Sequence, residues 1–211
     1  MRALPIIAMM LLAGCAAPRT QTPIAIYDFG LQRLAAPSSA DAYSRPQLSA
    51  SLLVIETSPV WLDSPAIQYR LAYQDLAQSY AYANNRWAAA PPILLTQRIK
   101  NRLAAVSNDG VVSANDGVRA DYTLRLELEE FTQIFDAPDE SRALVELRAS
   151  LIDRNTRLLL AQRSFGVEQG VPAANAAGAV HALTDASDKL IGILIDWLST
   201  ELPEKKKDPS F

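Results

Sequence analysis

The chain has 211 residues, with 20 Lys and Arg against 23 Asp and Glu, a single histidine and a single cysteine. That length suits one sizeable domain, and a mildly acidic chain without a basic patch cannot neutralise phosphates, which excludes nucleic acid as a partner. One cysteine excludes an internal disulfide and a thiolate metal cluster, and one histidine excludes a His-x-x-x-His metal pair.

The N-terminus opens with Met1-Arg2, continues through an apolar run from Ala3 to Leu12 and reaches Leu12-Ala13-Gly14-Cys15. A basic start, an apolar stretch of about 7–15 residues and small residues at the cut are the requirements of a secretory signal. The run is too short to cross a bilayer, which takes about 20 apolar residues. Its Leu-Ala-Gly-Cys ending resembles the bacterial lipobox. Residues 1–14 are therefore expected to be a signal peptide and Cys15 the lipidated residue, carrying three acyl chains in the mature protein. More than one chain is needed for stable anchoring. Ala16 stands where inner-membrane retention signals place Asp, and by analogy with enterobacterial sorting this favours the outer membrane, on its periplasmic face. Residues 15–23, small, polar and punctuated by proline, read as a tether.

A domain over 24–202 follows. Ile24 to Phe29 alternates as a strand and ends at Gly30, and residues 35–47 read as an Ala/Ser/Pro-rich loop. Leu48 to Glu56 is strand-like, and its apolar run Leu52–Ile55 suits a central strand buried on both faces. After Pro59 and Pro65, which bracket a short apolar piece, Ile67, Tyr69, Leu71 and Tyr73 lie on one side of a period-two strand. A second short strand, Ser79 to Ala83, carries Tyr80 and Tyr82 and is expected to pair with the first as a hairpin turning near Gln74 and Asp75.

Beyond Pro91-Pro92 the period becomes helical. Leu95, Ile99, Leu103 and Val106 form a stripe, the prolines suit the first turn, and Asn108-Asp109-Gly110 is the expected stop. Tyr122, Leu124, Leu126 and Leu128 then alternate with Thr123, Arg125, Glu127 and Glu129, which predicts a strand with one dry and one wet face. Strands over Ala143–Leu151 and Leu158–Val167, joined by polar turns, complete a meander. A final helix runs from after Pro172 to about Leu202, with an apolar stripe through Val180, Leu183, Leu190, Ile191, Leu194, Trp197 and Leu198, and Pro203 ends it. Residues 203–211 read as a charged, solvated tail. The sum is an α+β fold: a single domain with a mainly antiparallel sheet and two long helices packed on one face.

Chemistry is sparse. His181 lies inside the final helical pattern and no Gly-x-Ser-x-Gly elbow accompanies it; Glu127 and Glu129 fall on the wet face of their strand. The eight glycines are scattered singly and form no phosphate-cradling loop, so no catalytic residue, metal or cofactor is expected. The aromatic residues are more informative: Trp61, Tyr69, Tyr73, Tyr80, Tyr82 and Trp87 cluster in sequence, and side chains with an apolar body and a polar tip suit half-wet surfaces and interfaces.

Tyr27-Asp28-Phe29-Gly30 at the domain start, Ile67-Gln68-Tyr69-Arg70, and Tyr82 to Pro92 with Arg86-Trp87-Ala88 before Pro91-Pro92 and a helix beginning Ile93-Leu94-Leu95 together resemble the ABC-type transport auxiliary lipoproteins, which include the PqiC-type lipoproteins. The resemblance spans most of residues 24–200. It implies a non-enzymatic accessory role beside an ATPase, a permease and an MCE-type periplasmic protein that move lipids or other hydrophobic molecules between membranes. A homo-oligomer is a further partner compatible with it. On this reading Tyr69, Arg70, Tyr80, Tyr82, Arg86 and Trp87 are the expected partner-binding residues. The competing reading is a periplasmic carrier that holds lipid itself, which requires an apolar cavity of about 300 Å3 or more.

Overall fold

The computed structural model describes residues 23–31, 48–113 and 115–203. The signal sequence, Cys15, the tether before Pro23, the loop placed at 35–47 and the tail beyond residue 203 lie outside the described residues. In chain order the elements are β1 (Ala25–Tyr27), β2 (Leu52–Thr57), a single 3-10 turn (Val60–Leu62), β3 (Ala66–Leu71), β4 (Asp75–Trp87) and α1 (Pro91–Ala104). They continue with β5 (Val111–Val112), β6 (Tyr122–Ala137), β7 (Glu140–Asp153), β8 (Leu159–Gly170) and α2 (Ala176–Glu201). The architecture is a single α+β domain in which, among the described residues, the eight strands form one sheet and two helices accompany it.

β6 is the spine. Along one edge it pairs antiparallel with β7 from Tyr122↔Asp153 to Ala137↔Glu140, and β7 in turn pairs antiparallel with β8. Its other edge is shared. β2 runs parallel to Tyr122–Glu127, and β3 runs parallel to Gln133–Phe135. The sheet forks between these two partners, with β5 beyond β2, and β4 then β1 beyond β3. The meander and the aromatic hairpin were legible in the sequence; the parallel joins to β6 and the two-residue β5 were not. β2 flanks the spine, and β6 takes the central place expected of Leu48–Glu56.

A bulge in β6 between Leu128 and Glu130 explains how sixteen residues serve one core. Before it, Leu124, Leu126 and Leu128 face the helices; one extra residue shifts the parity, so that Phe131 and not Glu130 takes the next inward place. β7 contributes Val145, Leu147 and Leu151, β8 contributes Phe165, and the stripes of both helices cover them. Alanines at 179, 182 and 186, all buried, let α2 approach the sheet closely. On the opposite face Arg148 pairs with Glu127 and Glu129, as alternation predicted. No helix among the described residues is long and apolar enough to cross a membrane.

Helix ends follow local chemistry. α1 begins at Pro91-Pro92 without a side-chain cap, since proline has no N–H to satisfy there. It stops at Ala104, before the expected Asn108–Gly110, because the next residues are held by the chain ahead of β2: Leu48 N–H donates to Val106 O and Asn108 N–H to Leu48 O. Asn175 caps α2 through Oδ1, which accepts the Gly178 N–H at 2.9 Å. A Cβ at position 178 would run into the carbonyl of Ala173, so the glycine is required by close approach.

Arg98 ties the helices together. Its Nε and Nη2 donate to the two carboxylate oxygens of Asp188 on α2 at 2.7 and 2.6 Å, and Nη1 donates to Phe29 O at 2.9 Å. The guanidinium also lies 5.7 Å from the Phe29 ring centroid. Arg98→Ala should therefore lower the melting temperature, with a loss of about 1–3 kcal/mol; this is below the cost of breaking a fully buried pair because the Asp188 side chain keeps 34 % of its exposure. Thermal and urea unfolding of the variant measure it.

Candidate functional site

The β3–β4 hairpin carries the aromatic residues that the sequence singled out. Alternation places Ile67, Tyr69 and Leu71 on the inward face of β3, with Gln68 and Arg70 on the outward face. Tyr69 lies opposite Tyr80 in the ladder, and the two rings stack with centroids 5.4 Å apart. Tyr82 tilts against Tyr69 at 4.8 Å, and Phe135 of β6 meets Tyr69 edge-on at 5.6 Å. Tyr69, Tyr80 and Tyr82 each remain partly exposed. The result is an aromatic layer that continues the core past the end of the helices and leaves one side wet.

The layer is anchored by a buried polar chain. The Tyr82 hydroxyl donates to Gln133 Oε1 at 2.8 Å, and Gln133 Nε2 donates to Ser141 Oγ at 2.8 Å. Gln133 is fully buried. Burial pushes the Tyr82 phenol up to about 12, with the nearby Tyr69 adding to the shift.

Arg70 has an internal task. Nη2 pairs with Glu130 Oε2 at 3.3 Å and Nη1 donates to Leu76 O at 3.0 Å, so its guanidinium pins the hairpin tip to the spine. At that tip Tyr73 and Leu76 are exposed apolar side chains. Leu76 was missed in the sequence; its only signal is an apolar residue just after a polar turn. Arg86 is exposed on the outward face, near the other end of β4. Trp87, its neighbour, is 1 % exposed and packs against Phe29 and Phe131 at 5.5 and 5.7 Å. The expected partner-binding set therefore divides. Trp87 is a core residue because adjacent strand positions face opposite ways and its register partner is the inward Tyr27. His181 is exposed on α2, and among the described residues no group of three His, Cys, Asp or Glu could hold a metal ion.

Tyr82→Phe should cost about 1–3 kcal/mol, because Gln133 Oε1 loses its donor inside the protein. Tyr80→Phe, whose hydroxyl meets only the exposed Gln78, should change stability little. The phenol of Tyr82 holds its proton more tightly folded than unfolded, so its contribution is complete below the ordinary value of 10 and fades as pH rises toward about 12. Urea midpoints at pH 8 and pH 11 should therefore fall less for Tyr82→Phe than for the unmodified protein.

The model of the family described as the ABC-type transport auxiliary lipoprotein component matches residues 30–192. Among solved structures, the protein XCC0632 from Xanthomonas campestris superposes with a TM-score of 0.69 at 21 % identity, over 83 % of this chain and 95 % of that one. A second, described only as an uncharacterized protein, gives a TM-score of 0.60 at 16 % identity, over 84 % of this chain and 99 % of that one. At such identities the likeness establishes the fold alone. No curated protein matches the sequence. The family match takes in α1, α2 as far as Gly192 and every strand after the first, including the aromatic hairpin, and the chain is a member of the ABC-type transport auxiliary lipoprotein family.

Proposed function

We propose that this protein is a non-enzymatic lipoprotein, anchored through Cys15 in the outer membrane and facing the periplasm. There it serves an ABC/MCE-type system that moves lipids or other hydrophobic molecules. The observation that carries the reading is the family match over residues 30–192. The lipobox ending at Cys15 supports the anchor.

The hairpin supports the docking role. Its tip, with Tyr73 and Leu76 exposed and Tyr80 partly so, lies at the opposite end of β4 from β1, where the tether enters. The strand between Asp75 and Asn85 spans on the order of 30 Å. A lipid-anchored domain with this shape would hold the tip away from its membrane, toward an MCE-type partner and its permease and ATPase. Arg70 contributes by holding the tip in place, and Tyr69 and Tyr82 by supporting Tyr80 from beneath.

Cys15→Ser removes the nucleophilic sulfur, and the mutant should lose incorporation of a labelled fatty acid; undiminished label would show that the anchor lies elsewhere. For the docking surface, Leu76→Ser combined with Tyr80→Ala should abolish retention by the immobilised MCE-type partner of the proposed system. A few aromatic residues commonly dominate an interface, each worth over about 2 kcal/mol. The double mutant should melt within a few degrees of the unmodified protein, since Leu76 is exposed and Tyr80 partly so. Arg70→Glu, by contrast, should destabilise the hairpin by opposing Glu130. Full retention of the double mutant would remove the tip from the docking surface.

A further inference from the structure

The end of the domain that receives the tether carries an apolar patch unrelated to the hairpin tip. In the lateral register across three strands, Ile26 of β1 lies beside Arg86 of β4, which lies beside Ala66 of β3. All three share the outward face, since Tyr27 and Trp87, one position on, face the core. Ile24, two residues before Ile26, falls on the same side. Gln68, two residues beyond Ala66 on that face, donates through Nε2 to Trp61 O at 2.9 Å, which fixes the 3-10 turn beside the stripe. Within that turn Leu62 is buried, whereas Val60 is 88 % and Trp61 60 % exposed. Ile24 and Ile26 are exposed by half or more.

Four large apolar side chains and one arginine are thus left wet at one end of the fold, Ile26 beside Arg86 and the turn with Val60 and Trp61 held to the same face by Gln68. Burying Leu62 alone would not require Trp61 beside it, and an exposed tryptophan with isoleucine and arginine at the same end of the fold is the composition favoured at the boundary between headgroups and acyl chains. The acidic neighbours do not make the patch basic. Asp28 accepts the Gly30 N–H at 2.8 Å, and Asp63 follows the turn and is exposed. Charge therefore does not select the partner; apolar area does.

The occupant follows from the chain itself. Ile24 belongs to the patch and lies nine residues after Cys15. Nine residues reach at most about 30 Å when fully extended, and a flexible segment of that length averages roughly 15–20 Å. A lipidated Cys15 would keep the patch within that distance of the bilayer at all times. Tethering of this kind raises the effective concentration to about the millimolar range, at which even a weak surface contact is populated.

We infer that Ile24, Ile26, Val60, Trp61 and Arg86 form a membrane-contact surface. They seat the domain on the phospholipid to which it is anchored, with Trp61 at the headgroup–acyl boundary and Arg86 beside a lipid phosphate. This rests on the lipidation of Cys15 proposed above. It makes the anchored domain an oriented one: the patch faces the bilayer, and the hairpin tip faces away from it.

The protein contains its own probe. Of its three tryptophans, Trp87 and Trp197 are 1 % and 6 % exposed, leaving Trp61 as the one able to meet lipid. The full-length lipidated protein is reconstituted in phosphatidylcholine vesicles with either ordinary or brominated acyl chains, and its tryptophan emission is compared. Brominated vesicles should quench about a third of the emission, and 0.5 M salt should not restore it. Trp61→Phe should remove the quenching. Ile24→Glu combined with Ile26→Glu should reduce it to the level of Trp61→Phe, while the protein still floats with the vesicles and melts as before. Equal emission in both vesicle types from protein that floats overturns the membrane-contact surface alone. Failure of the unmodified protein to float overturns the anchor, and this inference with it.

Discussion

The ladder along Tyr122–Ala137 is the constraint on which the rest depends. A strand of sixteen residues with β7 along the whole of one edge must satisfy the backbone groups of its other edge, or leave them as a template for aggregation. Two partners divide that edge: β2 takes the N-terminal part and β3 the C-terminal part. The fork is what gives this fold two ends with different chemistry. The branch through β2 is covered by α1 and is mostly apolar packing. The branch through β3 projects the hairpin past the helices, where aromatic side chains replace helix cover.

The bulge at Glu129 couples the two branches. It returns Phe131 to the core, and by the same shift it brings Gln133 and Phe135 inward beneath the tyrosines. Phe131 then joins Phe29 and Trp87 in an aromatic cluster, edge-to-face at Trp87 and tilted between the two phenylalanines, that locks β1 and the end of β4 to the spine. One irregularity therefore serves both the core and the aromatic layer. Arg98 completes the arrangement from the helix side. By reaching Phe29 O and Asp188 together it fixes α1, α2 and the entry of the chain relative to one another.

On the function proposed above, the domain has to place a docking surface at a definite height and orientation over a membrane. A stiff antiparallel hairpin is suited to this, because its length is set by strand geometry and its tilt by register to the spine. In this protein the tip is further restrained by Arg70, whose bonds to Glu130 and to the backbone of Leu76 exchange a mobile surface charge for a fixed one. The family match covers this hairpin from end to end.

The sequence by itself determined the local elements, because periodicity is a local property. The alternation of Tyr122–Glu129, the stripe of Leu95, Ile99 and Leu103 and the long stripe ending at Leu198 each specify an element and its buried face within a few residues. It also determined the family, through short motifs at the domain start, in the hairpin and at the first turn of α1. Only the tertiary structure decided which strands are neighbours. The parallel joins of β2 and β3 to β6, the two-residue β5 and the length of β4 to Trp87 depend on partners distant in sequence, and no local pattern announces them. The partner set shows the same division. Tyr69, Tyr80 and Tyr82 were recognisable as half-wet aromatics, but whether Trp87 faced solvent or core turned on its register with Tyr27, a residue far away in sequence. Leu76, Val60 and Trp61 stay exposed for the converse reason: they are apolar like the core residues, and only the path of the chain in space determined that nothing in the described fold covers them.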